Sequence, residues 1–173
     1  MGSYRLTLVP VGSGLLCVEG VYGMSQVSMV DITAKDVVYR EATASGRILL
    51  REDTVRRIRE GLVEKGDVES VASVAAILAV KNTPSILPLC HPIPVTHVKV
   101  DFSYGSDYVE VRVTVKAKAE TGVEMEALTG VSVALLTIWD MVKKYEKDEG
   151  GQYPYTRITD IRVESKVKRP ITS

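Results

Sequence analysis

The sequence has no excess of either charge: Lys and Arg total 22, and so do Asp and Glu. Proteins that hold nucleic acid mainly through phosphates carry a basic surplus, so a general nucleic-acid binder is disfavoured. A net charge of zero also does little to oppose self-association. Cysteine is scarce, with only Cys17 and Cys90, and no CxxC pair occurs. That excludes a disulfide framework and a thiolate zinc site, and fits a reducing, cytoplasmic compartment. No uninterrupted apolar run reaches the roughly 18 residues that span a bilayer. Beyond Met29 there is no repeat, low-complexity tract or Pro/Gly-rich linker.

The first residues need separate treatment. Leu6 to Val18 is apolar-rich, but Pro10 and Gly12-Ser13-Gly14 interrupt it and no small-x-small cleavage site follows, unlike an export signal. Residues 1–28 read as a loose, flexible N-terminal extension with a short strand over 4–9, and Met24 and Met29 are both plausible starts. Residues 29–173 read as a single domain, long enough to bury a real core.

The periodicities beyond Met29 predict an ordered series of elements. Residues 37–50 are β-branched and apolar, as in a strand. A helix opens at Arg51-Glu52-Asp53-Thr54, with Val55, Ile58 and Leu62 on its apolar face. Gly66 stands where it would cap that helix, and Asp67 where it would open the next. The second helix, 68–81, is apolar around most of its circumference, which predicts burial, in part against another subunit. Thr83-Pro84 ends it, and an apolar loop with three prolines follows over 87–94. Residues 95–104 and 108–118 alternate cleanly and form a hairpin across Gly105-Ser106-Asp107. A long helix runs from Thr121 to about 145, and 156–167 alternates again as the last strand. The order β-α-α-β-β-α-β is the split βαβ pattern with one added helix. It predicts an α+β, ferredoxin-like sandwich, an antiparallel sheet with helices on one face.

Four patches could carry chemistry, and each has a structural explanation. Lys65-Gly66-Asp67 is a helix–helix junction, yet Lys65 is not needed for capping and could present its ammonium to an anion. His91 sits on a rigid, proline-rich connection rather than on an apolar helix face. Cys90 beside it reads as a small buried residue, not a nucleophile. Thr121-Gly122-Val123-Glu124 fits a capping box, which accounts for Glu124 but not for Glu126. Asp140 with Lys143 and Lys144 would pass for a surface ion pair. Glu126 and Asp140 are 14 residues apart on one helix, about 21 Å at 1.5 Å per residue. They cannot meet around one small ligand within one chain, so either the ligand is long or two subunits share the site.

Met29-Val30-Asp31-Ile32-Thr33, Lys65-Gly66-Asp67-Val68, Leu87-Pro88-Leu89-Cys90-His91-Pro92, Thr121–Thr129 and Thr137-Ile138-Trp139-Asp140-Met141 closely resemble the cyclic pyranopterin monophosphate synthase family, the molybdenum cofactor biosynthesis protein C family. The resemblance runs from Met29 to about Lys168. It implies a lyase that converts (8S)-3′,8-cyclo-7,8-dihydroguanosine 5′-triphosphate to cyclic pyranopterin monophosphate and releases pyrophosphate. It implies Asp140, Lys65 and Lys143 as catalytic residues; the proton transfers of such a ring rearrangement then suggest Lys65 or Lys143, at a lowered pKa, as general acid or base with Asp140 orienting it. Leu89, Cys90, His91, Glu124, Met125, Glu126 and Lys166 would bind substrate, with Arg40 a weaker phosphate contact. It further implies a hexamer, a trimer of dimers with sites between subunits. No protein-held metal or cofactor is expected, though a divalent cation such as Mg²⁺ could accompany the triphosphate; neither nucleic acid nor membrane is an expected partner.

Two features depart from the family pattern. Lys166-Val167-Lys168-Arg169-Pro170 stands where the family has Lys-x-Gly-Gly-Lys-Ser-Gly, and the connection from Lys147 to Pro154 is longer than usual. The rival readings are a non-catalytic regulatory domain that binds a small ligand, which would return its ligand unchanged, and a nucleic-acid module. For the latter, Phe102, Tyr104 and Tyr108 make a thin case.

Overall fold

A computed structural model describes residues 27–171 together with the backbone of residues 7–11 and 14–18. Strands β1 (Thr7–Val11) and β2 (Gly14–Val18) pair antiparallel as a separate two-stranded sheet. The readings for residues 1–6 and 19–26, Met24 as a start among them, fall outside the described residues.

The main sheet holds four antiparallel strands: β3 (Val38–Leu49), β4 (Val95–Tyr104), β5 (Tyr108–Ala119) and β6 (Arg157–Arg169). Their order is β4-β5-β3-β6, that of a split βαβ fold, so the α+β expectation holds. On β5 the alternation works as read: Val109, Val111, Val113, Val115, Ala117 and Ala119 are all buried, while the intervening Glu110, Arg112, Thr114, Lys116 and Lys118 turn to the other face. β3 contributes Ala42, Ala44 and Ile48 to the same buried side, with Gly46 between them.

The helices lie on that side. They are α1 (Glu52–Arg59), α2 (Val68–Lys81), the short α3 (Thr83–Ile86) and the long α4 (Glu124–Glu146). Against the sheet α4 places Ala127, Val131, Ala134, Leu135, Ile138 and Val142, all fully buried, at the three-and-four spacing of one helix face. It is the one helix among the described residues long and apolar enough to cross a membrane, and over half of that stretch is buried in the fold.

Several local readings are corrected. α1 stops at Arg59 because Gly61, not Gly66, caps it: Gly61 has φ 68°, its N–H bonds Ile58 O at 3.1 Å, and the Leu62 N–H reaches Arg57 O at 2.8 Å. That pair of bonds is a Schellman cap. Leu62 therefore leaves the apolar stripe and is 58% exposed. Gly66, at φ 102°, serves the turn into α2, where Asp67 caps as read by accepting the Ser70 N–H at 2.6 Å. Thr83-Pro84 follows the end of α2 at Lys81 as read, but it also opens α3, with proline in the first turn where its missing N–H has no intrahelical partner to lose. The helix α2 is not buried all round within one chain. It seats Ala72, Ala76, Ala79 and Val80 against the fold, while Val71, Val74 and Leu78 form an exposed apolar row.

At Gly46 α4 lies close against the sheet. A Cβ there would stand 2.9 Å from carbons of Val131, Leu135 and Ile161. The β3–β6 register also shifts between Ser45 and Arg47, and Asp160 opposite has φ 56°, a conformation Asp tolerates better than most residues. We expect Gly46→Ala to lose about 1–3 kcal/mol, the range for overpacking a filled core, measured by denaturant unfolding. An unchanged midpoint would show that α4 can lift without penalty.

Candidate active site

α4 is unbroken, so what it carries at its two ends stays apart. The end near Glu146 faces the α1–α2 turn. Val63 is buried and anchors that turn, and the Glu64 N–H donates to the Tyr145 hydroxyl at 3.0 Å. Held this way, Lys65 reaches Asp140, 75 positions along the chain: its ammonium lies 2.6 Å from Oδ2 and 2.9 Å from the Asp140 carbonyl. Lys143, one turn on, donates to Oδ1 at 2.7 Å. One carboxylate thus takes two ammonium groups, one on each oxygen. The hydrogen bonds from Lys143 and Lys65 hold Asp140 ionised, with its pKa lowered to about 2. Asp140 in turn tightens the hold of Lys143 on its proton. Lys143 is therefore held as a fixed cation, neither a ready proton donor nor a base, contrary to the expectation of a lowered lysine pKa there. The triad opens on a hollow of about 500 Å³ also lined by Glu64, Lys144 and Lys147. Glu64 and Lys147 stood outside the candidate patches, although the Lys143-Lys144-Tyr145-Glu146-Lys147 charge run was the signal for Lys147.

The other end of α4 meets the proline-rich loop. There Leu89, Cys90, His91, Met125 and Glu126 line one pocket of about 290 Å³, joined by Val30, Ile32, Lys35 and Gly122. The Cys90 N–H closes a turn onto Leu87 O at 2.9 Å, which presents Leu89, Cys90 and His91 together. Burial raises the Cys90 thiol pKa, and the charge of Glu126 adds to it; this agrees with an inert cysteine. Glu126 is only 2% exposed, and its Oε2 has no hydrogen-bond partner. Burial first, then the charge of Glu124, pushes its pKa up. Sequence reasoning passed over Lys35, which no spacing rule ties to this loop.

The expected capping box does not form. α4 opens at Glu124 with Val123 in the cap position and no side-chain cap, so Glu124 is free to fold over Gly122, where a Cβ would collide with it. Its carboxylate receives Lys166 at 3.1 Å. Lys166 thus stands with the Glu124 end, not with Asp140. Arg40 stands apart from the triad too: its guanidinium donates to the carbonyls of Ala119 (3.4 Å) and Glu120 (2.9 Å) and so holds the chain as it enters α4. β6 runs on to Arg169 through the segment where the family pattern has two glycines. Lacking that pair, the chain continues as strand.

Among the described residues no three His, Cys, Asp or Glu side chains gather as a metal cage. The carboxylate nearest the lysines, Asp140, already has both oxygens engaged.

The profile of the MoaC family matches residues 29–168. A protein of Pyrococcus abyssi described as a probable cyclic pyranopterin monophosphate synthase is 63% identical over 142 residues, 82% of this chain and 89% of its own length. One of Aeropyrum pernix with the same description is 63% identical over 145 residues, 84% of this chain and 99% of its own. A Methanothermobacter thermautotrophicus protein described as a probable accessory protein of that synthase is 61% identical over 142 residues. With a profile covering most of its length and relatives at this identity, the chain belongs to the MoaC family.

Proposed function

We propose that the protein converts (8S)-3′,8-cyclo-7,8-dihydroguanosine 5′-triphosphate to cyclic pyranopterin monophosphate and pyrophosphate, an early step of molybdenum cofactor biosynthesis. The reading rests on family membership, and the observation that carries its chemistry is the Lys65–Asp140–Lys143 triad. Closing a cyclic phosphate expels pyrophosphate from the α-phosphorus and builds negative charge on the leaving oxygens. Fixed ammonium groups stabilise that charge as it grows. Lys143, held protonated, supplies a fixed positive charge; Asp140 orients both lysines and does not itself titrate near neutrality. Rearranging the purine-derived ring needs a separate proton carrier. Glu126, with His91 in the same pocket, has the environment for it, since a buried carboxyl keeps its proton to higher pH.

The two half-sites are about 21 Å apart along α4 by helix rise. We read them as halves of different active sites, each completed by a neighbouring subunit in a homohexamer arranged as a trimer of dimers. The exposed row Val71, Val74 and Leu78 on α2, at 44%, 59% and 55%, supports a further copy covering that face. A divalent cation such as Mg²⁺ would travel on the triphosphate's own oxygens, as is usual for nucleotide-bound magnesium. The balanced charge and the scarcity of cysteine support a cytoplasmic protein without nucleic-acid or membrane partners.

Incubation with the cyclised nucleotide should yield cyclic pyranopterin monophosphate and pyrophosphate by mass spectrometry; ligand bound but recovered unchanged would instead favour a regulatory domain. Asp140→Ala should lower kcat by about 100-fold or more at nearly unchanged thermal stability, because Asp140 is exposed. Shared sites give a sharper outcome. Asp140→Ala and His91→Ala, each inactive alone, should regain activity when co-refolded, since some sites then receive an intact half from each chain. No recovery in a mixed oligomer would place both halves in one chain's site.

Glu126 makes a pH prediction. Its folded pKa is raised, so the stability its neutral form supports is complete below its unfolded pKa, about 4.5. That stability is lost as pH rises through the folded value. Glu126→Gln should therefore melt higher than the wild type at neutral pH, with the gap closing as pH falls towards about 4. Calorimetry across that range decides it. A constant gap would mean that Glu126 is ionised and paired in the assembly.

A further inference from the structure

The long connection from Lys147 onwards is built rather than loose. Both its ends are pinned on one buried carboxylate. Glu146, fully buried at the last turn of α4, accepts the Thr156 hydroxyl at 2.5 Å and the Arg51 N–H at 3.1 Å. Between these ends Asp148 closes a turn, its carboxylate taking the Gln152 N–H at 2.8 Å and its carbonyl the Gly151 N–H at 3.0 Å, with Gly151 at φ 76°. The turn returns Tyr153 to α4. Its ring meets Trp139 edge-on, centroids 5.5 Å apart and planes at 69°, and the Lys147 ammonium stands 6.0 Å from its centroid.

Lys147 lines the same hollow as the triad. That hollow holds four lysines against two carboxylates, but their pairings are unequal. Lys144 is taken by Glu64, while Lys65 and Lys143 share Asp140. Among the described residues Lys147 forms no ion pair, and Asp148 beside it is spent on its own turn. The hollow lies at the C-terminal end of α4, where the helix dipole presents its negative pole and would repel a phosphate. Asp140 offsets only one of the two charges of Lys65 and Lys143, so that triad keeps a single net positive charge, and Lys147 adds a second for an anion to meet. Asp140, Lys143 and Lys147 follow one another at steps of three and four, so they run along one side of the helix end.

We infer that Lys147, backed by the Tyr153 ring on the long connection, is a further phosphate-binding residue of this half-site, and that it holds the β,γ-diphosphate end which leaves as pyrophosphate. The inference rests on the proposed reaction for its substrate but not for its test, because pyrophosphate binding is read without turnover. The role is binding, not proton transfer. It supplies an unneutralised charge where the departing group gathers its own, leaving Lys65 and Lys143 on the reacting phosphoryl.

The test is calorimetric titration of the full-length oligomer with inorganic pyrophosphate, beside steady-state kinetics on the cyclised triphosphate. Lys147→Met keeps the aliphatic stem and removes the charge. It should weaken pyrophosphate binding about tenfold, the worth of one charge-assisted contact, and raise KM more than it lowers kcat. Lys147→Arg should restore binding. Tyr153→Leu, which leaves every charge in place, should weaken pyrophosphate by a smaller factor because Lys147 loses its support. A lysine that merely caps α4 would lower the melting temperature on mutation and leave pyrophosphate affinity alone; that result overturns the inference. If the wild type turns over the triphosphate while Lys147→Met binds pyrophosphate as well as it does, this assignment fails and the reaction stands. If Lys147-dependent pyrophosphate binding appears without turnover, the binding role holds and the proposed reaction fails.

Discussion

One continuous helix packed flat on one sheet governs what the rest of the molecule can do. α4 lies against the floor made by Ala42, Ala44 and Gly46 on β3 and by the buried valines of β5. The small side chains on the central strand admit the helix closely, and Val131, Leu135 and Ile138 are fully buried in the contact. A helix held along its whole length can neither bend nor slide, so the groups at its two ends keep a fixed separation. The spatial division of the site follows from that packing. A kink near Gly130 could in principle have folded the two ends towards each other. Instead Gly130 is used for close approach, with a Cβ there falling 2.8 Å from Val80 of α2.

The two ends then create opposite electrostatic environments for the same functional group. Asp140 is open to solvent and receives two ammonium groups, so it stays charged. Glu126 is buried beside Glu124 with an unpaired oxygen, so charge is disfavoured. Two carboxylates driven apart in this way can serve a reaction that needs a fixed anion at one step and a proton carrier at another. Lysine plays the complementary part: Lys143 is protonated and directed, and Lys147 forms no ion pair among the described residues. The long connection after α4 therefore extends an existing cationic surface rather than creating a second site.

Much of this was legible from residue order. The period-two run of valines on β5, the bounds of α2 and the hairpin at Gly105-Ser106-Asp107 all appear where alternation and turn chemistry place them, because each depends on near neighbours. Helix ends were read less well. Gly61 and Gly66 are both glycines at positive φ, and either could have capped α1; the buried Val63 decides it by drawing the chain inward after Gly61. Thr121 had the spacing of a capping residue, but Arg40, 79 and 80 positions from Ala119 and Glu120, holds the incoming strand by those carbonyls. The helix consequently begins at Glu124, and its side chain turns to Lys166 on β6. A local pattern loses to a distant anchor because the anchor sets the direction in which the backbone arrives.

Sequence alone determined the kinds of group available, their order, the α+β class, and the helix rise that keeps Glu126 away from Asp140. These are properties of short stretches or of one regular helix, where geometry follows from residue count. Only the tertiary structure decided that Lys65 meets Asp140, that Glu126 lies buried with an unpaired oxygen while Asp140 is exposed, and that Tyr153 returns to stand over Lys147. Each of those depends on side chains brought together by packing across the sandwich, and no spacing along the chain records which distant residues the core will make neighbours.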